Sequence, residues 1–348
     1  MKKSVAVIGY GGQGAWHCNR IKTSDVVTLA GTYDIRENRR TAAQNDGVFV
    51  YGSNEEIFAD SSVDIIVVAT PNDIHEELVV NALKSGKNVI CEKPVALSVA
   101  SFDRMVEAQN ESRKLLSVHQ NRRWDVDYLG VKRVIESGEI GEVIRIESRI
   151  HGSRGIPSDW RCQREYGGGM ILDWGVHLID QMLTLITDKV VKINCFTTHI
   201  TNNEVDDGFR LELVFLSGKT AYVEVGTYNF LSLPRFYMQC KDGTMYLDSW
   251  QEKPKIARLT NWIEKDVAPV QNAAGITKTM APRDGLTLDI YENEIPKSDV
   301  HEFYRNFCLA IDGREEQFIK NTQVRRVLKV MEAALLSAKT GNTVEVDI

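Results

Sequence analysis

The chain lacks several things, and each absence narrows its class. No apolar run approaches the roughly 18 residues that cross a bilayer as a helix, and strand-like runs such as "DIIVVAT" end within a few residues. The six cysteines (Cys18, Cys91, Cys162, Cys195, Cys240, Cys308) form no C-x-x-C pair and no close Cys/His cluster. Neither a zinc site nor a disulfide framework is indicated, so no metal is expected and the thiols read as reduced and buried. Basic charge is not in excess: 42 Lys and Arg stand against 48 Asp and Glu, and no Lys/Arg stripe with interleaved aromatics offsets this. Nucleic acid is therefore not an expected partner. The opening "MKKSVAVIGYGGQG" imitates a secretory leader only superficially, because its apolar run is Val5 to Ile8 and ends in glycines. A cytoplasmic protein without a membrane partner is expected.

What is present suits two packed units. At 348 residues the chain exceeds the roughly 250–300 residues at which a single core stops growing. Up to about residue 120, short β-branched runs ("SVAVIG", "VVTLAGTYD", "VDIIVVAT", "KNVICEKP", "LLSVHQ") alternate with helical patterns over 73–85 and 98–112. That alternation predicts an α/β fold with a doubly wound parallel sheet, a Rossmann arrangement, over 1–120. After Asn121 the pattern changes. A helix over 127–137 leads into a strand over 143–150, a polar loop, and a helix in "GGGMILDWGVHLID". "GFRLELVF" and "TAYVEVGT" then alternate around "LSGK", a hairpin signature. Residues 121–348 are thus expected to form an α+β domain on a large, mostly antiparallel sheet with one solvated face. Residues 251–300 are weakly periodic and give no assignment. The apolar spacing in 322–339 predicts a closing helix that packs back toward the first domain.

"VAVIGYGGQGAWH" carries G-x-G-x-x-G as Gly9, Gly11 and Gly14, directly after a strand and opening a helix. In that setting the glycines permit a tight turn, close approach of a pyrophosphate and close helix–strand packing, and the helix N-terminus favours phosphate. Gly12 and Gln13 belong to the same cradle. Asp34 lies twenty residues beyond Gly14 at the end of the second strand, where a carboxylate accepts from ribose hydroxyls and repels a 2′-phosphate. NAD is therefore expected over NADP, with Ile35 and Arg36 beside the adenosine, although Arg36, Arg39 and Arg40 offer a route to a 2′-phosphate. Thr70, Pro71, Asn72 and His75 follow a later strand and are expected at the same cleft, His75 on the helix surface. Glu92 and Lys93 end the strand of "NVICEKP" at that edge.

Asp173 and His177 stand four residues apart, so an α-helix would project them to one place. Loss of a hydride from a secondary alcohol needs a group to take the hydroxyl proton, which suits a histidine, and a lysine to steady the oxygen. A helix cap beside a satisfied core histidine, or half of a metal site, would use the same spacing. The run Gly167–Gly169 points to backbone pressed against a ligand.

Taken together, Gly9/Gly11/Gly14, "CEKP", "QNRRWD…GEIGEVIRIESR" and "GGGMILDWGVHLID" resemble, in order and spacing, the Gfo/Idh/MocA family, named for glucose-fructose oxidoreductase and inositol dehydrogenase. The resemblance implies NAD-dependent oxidation of a ring alcohol of a sugar, glycoside or cyclitol, C3 of a glucoside first among them. It implies Lys93, Asp173 and His177 as the catalytic group, with His177 moving the proton. It implies a homodimer or homotetramer joined through the second sheet. Asn121, Arg122, Arg123, Trp124, Arg154, Trp160 and Arg161 become candidates for recognising the substrate. A redox-neutral glycosidase that oxidises C3 transiently, and a non-catalytic sensor, are the competing readings.

Overall fold

The computed structural model describes residues 2–261, 269–277, 283 and 287–348. Five parallel strands open the chain: β1 (Lys3–Ile8), β2 (Val27–Tyr33), β3 (Ile65–Val68), β4 (Asn88–Cys91) and β5 (Leu116–Val118). The spatial order is β2-β1-β3-β4-β5. Val5, Val7, Ile65, Ile66, Val67, Val68, Val89 and Ile90 are all fully buried, as consecutive apolar residues must be when helices cover both faces. Those helices are α1 (Gly12–Lys22), α2 (Glu37–Asn45), α3 (Asn54–Ala59), α4 (His75–Lys84) and α5 (Val99–Ser112). Strand order reverses between β1 and β3, which opens a crevice at the carboxyl ends of the strands.

The chain continues through α6 (Val126–Ser137), β6 (Val143–His151), α7 (Val176–Leu185), β7 (Val190–Thr198), β8 (Gly208–Phe215) and β9 (Thr220–Gly226). It then adds β10 (Phe236–Cys240), β11 (Gly243–Leu247), β12 (Lys255–Leu259), the short pair β13 (Val270–Asn272) and β14 (Gly275–Thr277), and β15 (Leu288–Glu292). Two helices, α8 (Glu302–Ile311) and α9 (Asn321–Thr340), and an edge strand β16 (Val344–Glu345) complete it. Nine strands form the second sheet in the order β15-β12-β11-β10-β6-β9-β8-β7-β16, antiparallel except for β6 against β9. The stretch 251–300 that gave no assignment thus supplies two of these strands, while 262–268, 278–282 and 284–286 of it lie outside the described residues. Phe209, Leu211, Leu213 and Phe215 are buried on one face of β8, matched by Ala221, Val223 and Val225 on β9 across the "LSGK" turn.

The last two α-helices return to the first sheet. Arg325 of α9 pairs with Asp103 of α5 at 2.7 Å, and the Ser337 hydroxyl of the same helix accepts from the Cys195 amide of β7 at 2.9 Å. Asp312, at the C-terminal cap of α8, pairs with Lys3 at 2.7 Å, and the Tyr304 hydroxyl on that helix meets His17 Nδ1 at 2.5 Å. No described helix is long and apolar enough to cross a membrane.

Candidate active site

The glycine loop divides by what a side chain would meet. A Cβ on Gly9, whose φ is +99°, would lie 2.4 Å from the Ala69 carbonyl oxygen, and one on Gly14 would lie 1.9 Å from the Gly9 oxygen. These two glycines let β1, the loop and α1 pack. On Gly11 a Cβ would meet only the Arg36 guanidinium, at 4.0 Å, and on Gly12 nothing within 4 Å. The open side of the loop therefore faces the N-terminus of α1, where unpaired amides and the helix dipole attract an anion. That cradle fits a dinucleotide pyrophosphate. Asp34 closes its far end, accepting from the Tyr10 amide at 2.8 Å and the Arg36 amide at 2.9 Å. Burial works to raise the Asp34 carboxyl, but the Arg36 guanidinium and both amides outweigh it and hold it below the usual carboxylate range. Ile35 is 82% exposed beside it, and Arg36 is half-exposed.

Asn72, His75 and Glu92, all expected at the cofactor, have buried side chains bonded to protein atoms. His75 is fully buried and its ring nitrogens lie 3.0 Å from the Pro94 and Thr70 carbonyl oxygens, so it ties the β3 and β4 edge loops together rather than lying on the helix surface. Glu92, 4% exposed, takes His17 Nε2 and His119 Nδ1 on a single oxygen, each at 2.8 Å, and Gln13 donates to the same oxygen at 3.2 Å. These three residues, His17, Glu92 and His119, have donor atoms close enough to hold an ion, but their spacing is that of hydrogen bonds. Thr70 and Pro71 are half-buried at the β3 edge, and Asn72 donates to the Gly167 carbonyl at 3.0 Å, joining the two sheets' loops.

Across the cleft, Lys93 Nζ donates to the Asp173 carbonyl oxygen at 3.0 Å and to its Oδ1 at 3.1 Å, while Arg161 Nε donates to Oδ2 at 3.2 Å. Burial pushes the Asp173 carboxyl up, but Lys93 and then Arg161 outweigh it, so the group stays ionised. His177 is 3% exposed and has no hydrogen-bond partner among the described residues; its Nδ1 is buried and unpaired. Burial, then the positive charges of Lys93 and Arg122, hold its pKa well below the usual histidine range. The expected regular α-helical stacking of Asp173 and His177 is absent. Ile171–Gly175 is a turn of π-helix that passes into α7, and no hydrogen bond joins the two side chains. The wider turn leaves Asp173 to the two cations and His177 unbonded, an arrangement such bulges often provide at functional sites.

Of the substrate candidates, Arg161 and Arg122 reach this group. Arg161 stacks on Trp160 at 4.5 Å, and Arg122 lies 4.2 Å from the Trp174 ring centre, which is itself 6.0 Å from the His177 ring. Asn121 Oδ1 is buried and unpaired. Trp124 instead packs on Phe303 and Phe318, Arg123 is buried in a two-bond pair with Asp180 (2.7 and 2.6 Å), and Arg154 is exposed on the loop away from these contacts. Apolar packing and ion-pair burial claimed the first two, a choice spacing does not reveal. The sequence pattern also passed over Trp250, and over Gln120, whose carboxamide is buried at the end of β5 with both polar atoms unpaired.

The glycine run presses against protein, not against a ligand space. A Cβ on Gly167 would meet Leu97 at 2.4 Å, on Gly168 the Arg161 carbonyl oxygen at 2.3 Å, and on Gly169 (φ +107°) the Asp206 carboxylate at 2.3 Å. Asp206 accepts from the Ile171 amide at 2.8 Å and so caps the segment that carries Asp173. Burial pushes the Asp206 carboxyl up to about 6. A carboxyl raised on folding stabilises the fold below its unfolded pKa, near 3.8, and that contribution is lost as pH rises through about 6. At about 1.4 kcal/mol per unit, Asp206→Asn should gain on the order of 3 kcal/mol relative to wild type between pH 4 and pH 7 in denaturant melts. A difference that stays flat with pH would contradict this placement.

A family profile described as "Oxidoreductase family, NAD-binding Rossmann fold" matches residues 3–120, and one described as "GFO/IDH/MocA C-terminal domain" matches residues 128–246. A solved structure of an NAD-binding protein from Listeria innocua is 38% identical, covers 99% of each chain and superposes with a TM-score of 0.96. Myo-inositol 2-dehydrogenase of Thermotoga maritima is 31% identical over 58% of this chain and 60% of its own. scyllo-Inositol 2-dehydrogenase (NADP(+)) of Bacillus subtilis is 26% identical over 98% and 95%. Against other curated relatives the match spans about half their length. Two profiles of one family in sequence order, on a backbone that superposes along its whole length, place this chain in the Gfo/Idh/MocA oxidoreductase family.

Proposed function

We propose that the protein is an NAD-dependent dehydrogenase of a ring secondary alcohol in a sugar, glycoside or cyclitol, with C3 of a glucoside the first position to test. One observation carries this reading: Lys93, at the carboxyl end of β4 in the sheet whose β1 ends in the glycine loop, is bonded to Asp173 and lies near enough to the unbonded His177 for its charge to act on it. The named inositol dehydrogenases among its relatives support the substrate class. The division at about residue 120, and the exposed sheet face carrying Phe196, Tyr246 and Ile290 as a contact between copies, belong to the same proposal.

Gly11, Gly12 and the α1 N-terminus would hold the pyrophosphate, and Asp34 the adenosine ribose. NAD, when bound, accepts the hydride from the alcohol carbon. An ammonium has three donors, and Asp173 takes two from Lys93, so one remains for the reacting oxygen. That donor strengthens as the oxygen gains charge. His177, kept neutral by burial and nearby cations, takes the hydroxyl proton. Asp173 offsets the charge of Lys93 and fixes its aim.

A panel of pyranosides, free sugars and inositols, each offered with NAD and with NADP, tests this by the absorbance of the reduced nicotinamide. Substrate-dependent reduction, faster with NAD, is expected. Release of an aglycone without net reduction would replace the reading by the redox-neutral glycosidase, and no reaction across the panel would reject both.

A further inference from the structure

Beside the catalytic group lies a cavity of about 510 Å3, widely open to solvent and lined by Arg122, Ser249, Trp250 and Gln251. The Trp250 ring is 5.9 Å from that of Trp174, which is 6.0 Å from His177. Trp174 is thus in ring contact with both His177 and Trp250. Arg122 lies 4.2 Å from the Trp174 ring centre and 5.2 Å from that of Trp250, and Arg235 lies 4.8 Å from the Trp250 ring centre.

Both cations already have carboxylate partners: Arg122 pairs with Asp125 at 2.8 Å and Arg235 with Asp127 at 2.8 Å. These carboxylates offset the two positive charges, so the site offers no net charge to an anion and suits a neutral ligand, while Arg122 Nε remains an unpaired donor. Its lining mixes an indole with a hydroxyl, a carboxamide and guanidinium N–H groups. A pyranose ring matches that mixture, with apolar C–H faces to lie on the indole and hydroxyls at its edge for the polar groups.

We propose that this cavity is a subsite for the second, non-reacting ring of a neutral glycoside, with Trp250 as its stacking platform. This rests on the dehydrogenase reading and narrows it: a two-ring glycoside is bound in preference to a free monosaccharide or cyclitol. Trp250 touches the ring that does not react, so its contribution is the same in ground and transition states and resides in KM.

The test compares a disaccharide with its component monosaccharide and with myo-inositol, using wild type, Trp250→Ala and Trp250→Phe. For the disaccharide, Trp250→Ala should raise KM by about tenfold or more with kcat within about twofold, and Trp250→Phe should recover most of the loss. KM for monosaccharide and inositol should be unchanged. Unchanged circular dichroism and NAD affinity verify that the variants are folded. Equal losses for one-ring and two-ring substrates, or no loss for either, overturn the subsite. If wild type oxidises none of them, the dehydrogenase reading fails by itself. Calorimetric titration of the disaccharide into the NAD-loaded proteins then still decides the subsite: binding weakened by Trp250→Ala supports it, and binding that is absent or unaltered by the substitution overturns it.

Discussion

His177→Ala should lower kcat by about 10²–10⁴, the usual contribution of a positioned general base, while calorimetry finds NAD affinity unchanged. The imidazole has no hydrogen-bond partner among the described residues, so its removal breaks no bond within the protein. His177→Gln, which replaces the imidazole by a carboxamide that cannot take up a proton near neutral pH, should be as slow. The pH profile gives a second readout. His177 must be unprotonated to accept the hydroxyl proton, and burial with Lys93 and Arg122 lowers its pKa. Activity should therefore persist as pH falls through the ordinary histidine range and drop only below it. A His177→Ala enzyme with wild-type turnover would remove the residue from proton transfer.

Lys93→Ala should cost about 10²–10³ in kcat, comparable with loss of one donor to a developing oxyanion. It also removes the first partner of Asp173, which is buried and would keep only Arg161. Without Lys93, burial regains its hold on Asp173 and the carboxyl moves up toward neutrality, an upward shift that NMR titration of the variant should read against wild type. Lys93→Arg separates the two effects: it keeps the positive charge while misplacing the donor, and should leave Asp173 ionised but recover little rate. A rate loss below threefold in Lys93→Ala would exclude direct contact with the reacting oxygen.

Local periodicity made the two sheets legible, because a strand buried on both faces and a strand solvated on one write different patterns into the chain. The cofactor loop was legible for a related reason: Gly9 and Gly14 answer to backbone atoms a few ångströms away in the same βα turn. Lys93 and Asp173, eighty residues apart, required the family resemblance to be brought together, since nothing local links them. Elsewhere the outcome depended on packing. Trp124 met Phe303 and Phe318 from the far end of the chain, His75 found two carbonyls on different loops, and Trp250 met Trp174 from just beyond β11. The π-turn at Ile171–Gly175 could not be read from "ILDWG", because its hydrogen-bond shift answers to what Asp173 and Asp206 hold.

The return of α8 to the first sheet sets an order on the protein's birth. Phe303 and Tyr304 cover His119 and His17, which in turn hold Glu92. The ribosome makes these two aromatics more than 180 residues after the strands of the first sheet are finished. At about 5–20 residues per second, that sheet waits roughly 10–40 s with the buried histidine pair uncovered. A nascent chain stalled before residue 300 should therefore carry a folded but unsealed first unit, exchanging amide protons at α1 and β5 that the finished protein protects.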